Sequence, residues 1–307
     1  MKKLLLSITC LLLAFTSKAQ EPTQGSEPPR PTASLRVDVN LVELHVSVMD
    51  GSGRPVGGLR QEHFKVTENN ITQPITIFKH EDIPVSLGLV VDNSRSIEPR
   101  KGRLDAAALS FVANSNPDDE TFIVHFDFDA RVSQEFTDNR ALLSRKLSEA
   151  KPFGQTAIFD GLLLALDTMD NARYQKKALL LITDGIDNAS KATLAQVLEK
   201  VKREHVMVFP IGLLSESGGV AAEDALLAIA KASGGRAYFP NTPEDARAMM
   251  DIIARDLREQ YTLAYLPSNV LRNGTWRSVR VDITPPKGYP SGLSTIYRHG
   301  YYAPDEQ

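Results

Sequence analysis

The chain has 307 residues, 42% of them hydrophobic and 24% charged, with a formal net charge of -3. That is enough apolar material for a sizeable core and, as a prior from length, for about two domains. The slight excess of acid gives a polyanion nothing to hold, so no nucleic acid is expected as a partner.

The first nineteen residues stand apart. Lys2 and Lys3 precede an apolar run over 4–15, and Ser17-Lys18-Ala19 sets small residues three and one positions before a cleavage point at Gln20. This is the layout of a secretory signal peptide over 1–19. The run falls short of the roughly 20 apolar residues that a membrane span needs. The mature chain is therefore expected to lack a transmembrane span and to be secreted or periplasmic. Cys10, the sole cysteine, lies inside this run, so the mature chain would rest on its core without a disulfide. Residues 20–34 are rich in Pro, Ser, Thr and Glu and read as a flexible linker.

Over 35–82 the apolar period is two. Val37, Val39 and Leu41 alternate, then Val42, Leu44, Val46 and Val48 alternate in a shifted phase. A second strand pair is predicted at 64–66 and 75–78, separated by the turn Glu68-Asn69-Asn70.

Over 83–260 the pattern changes. Nearly continuous apolar runs at 85–91, 121–126, 178–183 and 206–211 fit strands buried on both faces. Helical spacing fills the intervals at 104–114, 140–150, 157–169, 194–203, 223–233 and 243–260. The last helix has Thr242 as its N-cap, Pro243 at its first position and Glu244 and Asp245 in its first turn. The alternation of strands and helices predicts an α/β domain with a doubly wound, mostly parallel sheet. Over 261–307 the two-residue period returns at 262–266, 279–283 and 295–297. That tail is expected to pair with the N-terminal strands in a small antiparallel β module, with Trp276, the only tryptophan, in its core.

The chemistry gathers at the carboxyl ends of the buried strands, where open α/β sheets bind ligands. The first strand ends in Asp92-Asn93-Ser94-Arg95-Ser96, the loop Gly154-Gln155-Thr156 enters a helix, and Thr183-Asp184-Gly185 closes another strand. Asp92, Ser94, Ser96, Thr156 and Asp184 together offer two carboxylates and three hydroxyls. These are hard oxygen donors suited to Mg²⁺, Mn²⁺ or Ca²⁺ rather than zinc or copper. So few donors leave a divalent ion under-coordinated, with a position open to water or an external ligand. Each piece has a plainer reading on its own. The two serines and Thr156 could be helix caps, and Asp187 and Asn188 read as turn formers, with shaping of the metal rim as the alternative. Asp127 and Asp129, beside His125, read as a hairpin turn rather than a second metal site. Gly218-Gly219 and Gly234-Gly235 read as turns outside any phosphate-binding pattern, and His205 shows no obvious partner.

Taken together, Asp-x-Ser-x-Ser with the later Thr and Asp resembles the metal-ion-dependent adhesion site of von Willebrand factor type A domains, in order and on matching elements, over about 85–260. The resemblance implies a Rossmann-like fold in which Ser94, Ser96 and Thr156 bind a divalent cation directly, with Mg²⁺ first and Mn²⁺ or Ca²⁺ as alternatives. Asp92 and Asp184 would act directly or through water. The flanks, with Leu59-x-x-Glu62-x-Phe64 at one end and Tyr261-Thr262-Leu263-Ala264-Tyr265 and Arg298-His299-Gly300-Tyr301-Tyr302 at the other, are similar to von Willebrand A-related proteins of acidobacterial type. The expected function is an exported, metal-dependent adhesion module whose protein partner supplies an Asp or Glu carboxylate. An envelope scaffold with a loop-stapling metal is the alternative. A metal-dependent hydrolase fits less well: Gly-x-Ser-x-Gly and His-Glu-x-x-His are absent, and no His or spare Glu is placed as a base, so the chain is not expected to be an enzyme.

Overall fold

A computed structural model describes residues 41–114, 116–213 and 219–305. The expected signal peptide and linker, the alternation at Val37 and Val39, and Gly218 lie outside the described residues.

The chain opens with β1 (Val42–Met49), β2 (Phe64–Glu68), β3 (Ile71–Gln73) and β4 (Ile75–Lys79). The expected pairing of the 64–66 and 75–78 strands does not occur. After Glu68, Asn69 and Asn70 both take positive φ, 45° and 67°, and reverse the chain into β3, which pairs with β2. Pro74 follows directly. It has no N–H to continue the ladder, and β4 departs to the other antiparallel sheet.

The α/β part follows as β5 (Ser86–Asp92), α1 (Lys101–Ala113), β6 (Glu120–Phe126), β7 (Ala130–Thr137), α2 (Arg140–Glu149) and α3 (Ile158–Thr168). It continues with β8 (Lys177–Thr183), α4 (Leu194–Arg203), β9 (Val206–Gly212), α5 (Gly219–Ser233) and α6 (Pro243–Glu259). The sheet order is β7-β6-β5-β8-β9, parallel except for the edge hairpin formed by β6 and β7. The central strands show no polar alternation because both of their faces are covered. Leu87, Leu89 and Val91 pack under α1, α2 and α6, while Val90, Phe122 and Leu181 pack under α3, α4 and α5. This is the doubly wound arrangement that the apolar runs imply. Thr242 caps α6, its hydroxyl accepting from Asp245 N–H at 3.1 Å.

The tail adds β10 (Tyr261–Tyr265), β11 (Trp276–Ile283), β12 (Ser294–Ile296) and β13 (Gly300–Tyr302). Strands from both chain ends build two antiparallel sheets, β12-β1-β10-β4 and β13-β11-β2-β3. Both contribute to a single apolar cluster that includes Leu44, Val66, Tyr261, Leu263 and Val281. Trp276 is not in that core. It is 39% exposed, lies edge-on to Tyr302 and sits beneath Lys202. Its strand alternates, and the inward position belongs to Arg277.

α6 also buries a carboxyl. Asp256 is 1% exposed, and burial lifts its pKa to about 6, against the weaker pull of Ser47 and Lys176. The folded chain therefore holds this proton at a pH where the unfolded chain has lost it. That contribution is complete at low pH and is lost as pH rises from about 4 through about 6, at up to about 1.4 kcal/mol per unit. Thermal melts of Asp256→Asn against the wild-type chain should show the variant gaining relative stability over this window and holding that gain above it.

Candidate metal centre

Because β5 and β8 are parallel neighbours, the loops after Asp92 and Thr183 leave the sheet side by side. Asp92 is fully buried. One carboxylate oxygen accepts from Ser94 N–H at 2.8 Å and the other from the Thr183 hydroxyl at 2.7 Å. Burial pushes its pKa up and repulsion from Asp184 adds to this, while the bonds from Ser94 and Thr183 pull the other way. Ser94, in extended backbone, leads into a 3₁₀ turn over Arg95–Ile97, which brings the two serine hydroxyls 3.0 Å apart. Ser96 Oγ donates to Asp184 Oδ1 at 2.8 Å. The second Asp184 oxygen accepts from Arg100 Nη1 at 3.0 Å. The Asp184 side chain is 1% exposed and that of Arg100 41%.

The third loop is laced to these two through backbone and amide contacts. Asn93 Nδ2 donates to Lys151 O at 2.7 Å, and Phe153 N–H to Asn93 O at 2.8 Å. Thr156, 4% exposed, is held by Asn188, whose Oδ1 accepts from Thr156 N–H at 2.9 Å and whose own N–H donates to Thr156 O at 3.0 Å. The Thr156 hydroxyl lies 3.5 Å from where a Cβ on Gly185 would stand. Asp187 accepts from Phe159 N–H at 3.0 Å in the first turn of α3, where a negative charge favours the helix end. Asp160 returns the contact by accepting from Lys191 and Ala192 N–H.

Of the five residues singled out in the sequence, Ser94, Ser96 and Asp184 thus touch through their side chains. Asp92 joins them through Ser94 N–H and Thr183. Thr156 stands beside Gly185, with no hydrogen bond from its side chain to the other four among the described residues. The donor set suits a hard divalent cation. The separations of 3.0 and 2.8 Å match the roughly 3 Å between adjacent oxygens of an octahedral shell with metal–oxygen bonds near 2.1 Å. Among the described residues no three His, Cys, Asp or Glu side chains cluster to hold a metal. A cation here would therefore depend on hydroxyls as well as carboxylates.

Three functional side chains lie outside the five residues singled out in the sequence: Thr183, which orients Asp92, Arg100, which pairs with Asp184, and Asn188, which positions Thr156. Thr183 was readable as a hydroxyl one residue before the strand-end carboxylate. Arg100 carried no such signal. Asp127 and Asp129 form the β6–β7 hairpin turn, with Asp127 N–H donating to Asp129 O at 2.9 Å and Arg131 paired to Asp127 at 2.8 Å. The ring of His125 is bonded to Ser133 Oγ at 2.8 Å.

Residues 87–186 match the family model for the von Willebrand factor type A domain. No curated protein is a significant match to the chain. Among solved structures, the chain is similar to the PilB minor pilin from Streptococcus sanguinis, at 15% identity and a TM-score of 0.50, over 62% of this chain and 64% of that one. It is also similar to the vWF domain of the type V pili tip protein Mfa5 from Porphyromonas gingivalis, at 16% identity and a TM-score of 0.46, over 57% and 95%. A third is proximal thread matrix protein 1 from the mussel byssus, solved with a zinc-occupied MIDAS motif, at 18% identity and a TM-score of 0.48, over 62% and 49%. The chain thus spans less than two thirds of the pilin and about half of the byssus protein. On the match over 87–186, which contains the whole of this oxygen cluster, the chain carries a von Willebrand factor type A domain.

Proposed function

We propose that the chain is an exported, divalent-metal-dependent binding module, with Ser94, Ser96, Thr156, Asp92 and Asp184 holding the cation, Mg²⁺ foremost. The observation that carries this is the contact of Ser94, Ser96 and Asp184 oxygens at 3.0 and 2.8 Å, drawn from separate loops at one rim of the sheet. When bound, the cation supplies a Lewis-acidic position that a partner's Asp or Glu carboxylate completes. The residues themselves do the positioning. Thr183 fixes Asp92, Asn188 fixes Thr156, and the 3₁₀ turn over Arg95–Ile97 sets the two serine hydroxyls 3.0 Å apart. Two carboxylates neutralise a dication only formally, and Arg100 offsets part of one of them. This low local negative charge favours taking a further carboxylate. No described helix is long and apolar enough to cross a membrane.

Full-length tagged chain, with the leader removed, should capture a protein from envelope extract in Mg²⁺ and release it in EDTA. Asp92→Ala and Thr156→Ala should both fail to capture it. Retention by both variants would overturn the reading, and capture indifferent to EDTA would favour the scaffold alternative. Arg100 sets the tuning. Its guanidinium, 3.0 Å from Asp184, repels a dication at the same carboxylate, so Arg100→Gln should bind Mn²⁺ several-fold more tightly in calorimetry. That corresponds to about 1 kcal/mol for charges at this range in a solvated setting.

A further inference from the structure

Across the sheet from the candidate metal centre, at the amino ends of β8 and β9, lies a cavity of about 260 Å³. Gln175 and His205 stand just before those two strands, β1 supplies His45 and Leu44, and Arg298 enters from the tail. The cavity has a polar wall and an apolar floor. Leu44 and Met207, 2% and 5% exposed, form the floor. Arg298 dominates the wall. Its Nη2 is buried and has no hydrogen-bond partner among the described residues, and no ion pair to it is found among them. Burial lowers its pKa to about 10, still far above neutrality, so the charge stays. A buried guanidinium without a counter-ion is costly, and its planar fork suits the two oxygens of a carboxylate.

The remaining groups do not supply that counter-ion. Glu43 is half-exposed at the lip and turns to His45, its Oε1 standing 3.4 Å from Nε2. The His45 ring also contacts Thr262 Oγ1 at 3.3 Å, and burial lowers its pKa to about 3, so it is neutral at physiological pH. Ser233 spends its hydroxyl on Val208 N–H and Ala230 O. The wall is also rigid. Gly234 takes φ +78°, and a Cβ there would stand 2.5 Å from Arg298 N, so the segment between β12 and β13 that carries Arg298 closes directly on Ser233 and Gly234. Such a preformed, small, half-apolar cavity with one convergent charge has the make-up of a ligand site.

We infer that this cavity binds a small monocarboxylate bearing a short aliphatic body, with its carboxylate on Arg298 and its body against Leu44 and Met207. The site is separate from the metal rim and does not depend on it. Phosphate shares the charge but lacks the apolar body.

The test uses full-length chain stripped of metal on a chelating resin, titrated with butyrate at pH 7 and constant ionic strength, and read by ligand-observed NMR. Expected are one saturable site, at least tenfold weaker binding of phosphate, and at least tenfold weaker butyrate binding in Arg298→Gln. Should Arg298→Gln fail to fold, Gln175→Ala at the exposed mouth should weaken butyrate several-fold. Ser96→Ala should leave butyrate binding unchanged, which separates this cavity from a carboxylate taken at the metal rim. Absence of a saturable site, phosphate binding as tight as butyrate, or an affinity unaffected by both cavity variants would overturn the assignment.

Discussion

Replacing Asp184 by alanine is expected to lower Mn²⁺ affinity by more than about 100-fold, and replacing Ser96 by alanine to lower it by about 10- to 100-fold, the range for groups that hold or orient metal ligands. Asp184 supplies one of the two carboxylates among the five donor residues, and Ser96 is the hydroxyl bonded to it at 2.8 Å. Isothermal titration of the full chain would check both, with Asp127→Ala as a control that should bind normally, since Asp127 serves the β6–β7 turn. Folding should survive these changes. Loss of Asp184 unpairs Arg100, but that side chain is 41% exposed and water takes over its solvation. A fall in affinity without a fall in melting temperature would therefore report the site and not the fold. Equal Mn²⁺ binding by the wild type and Asp184→Ala would remove this cluster from consideration.

The largest stability effect lies elsewhere, in the β module. Glu68 and Arg277 are each 2% exposed and face each other at 3.5 Å. Glu68 Oε2 also accepts from Tyr265 OH at 2.9 Å and Tyr301 OH at 2.7 Å. Both phenols are held protonated by burial, and the Glu68 charge adds to the effect. Arg277 additionally donates to Asn269 O at 2.5 Å and to Leu271 O. Residues of β2, β10, β11 and β13 thus meet in one buried polar knot spanning both sheets. Glu68→Ala would leave a buried cation and two hydroxyls without their acceptor, at a cost of about 3–5 kcal/mol. Urea unfolding at neutral pH measures this directly. Glu68→Gln, which keeps an acceptor and loses only the charge, should cost less. A loss below about 1 kcal/mol for the alanine variant would mean that water enters the knot.

The parallel sheet was legible in the sequence because its strands are covered on both faces. Residues 85–91 and 178–183 can then read as apolar without interruption, and the strands fall within a residue or two of those runs. Register and partnership in the antiparallel sheets were not legible. Val66 pairs with Val281, more than two hundred residues away, and nothing local to 64–78 says so. Three-residue β3 has two exposed positions and so leaves no period to detect. Trp276 misled for a related reason: a large aromatic suggests core, yet the alternation of β11 turns it outward and Arg277 inward. At the rim, residue types and order were readable because a hard cation needs oxygens at strand ends. The groups that aim them were not. Thr183, Asn188 and Arg100 act through contacts between loops distant in sequence, and only the packed sheet brings those loops together.

Anomalous scattering locates the cation on the chain. Crystals of the chain soaked in Mn²⁺ should show one strong anomalous peak within about 2.2 Å of Ser94 Oγ and Ser96 Oγ, with Asp184 contacting it directly or through one water and Arg100 turned toward solvent or retained on the far carboxylate oxygen. A peak at another place on the chain, or none at this rim at a Mn²⁺ concentration that saturates calorimetric binding, would contradict the account.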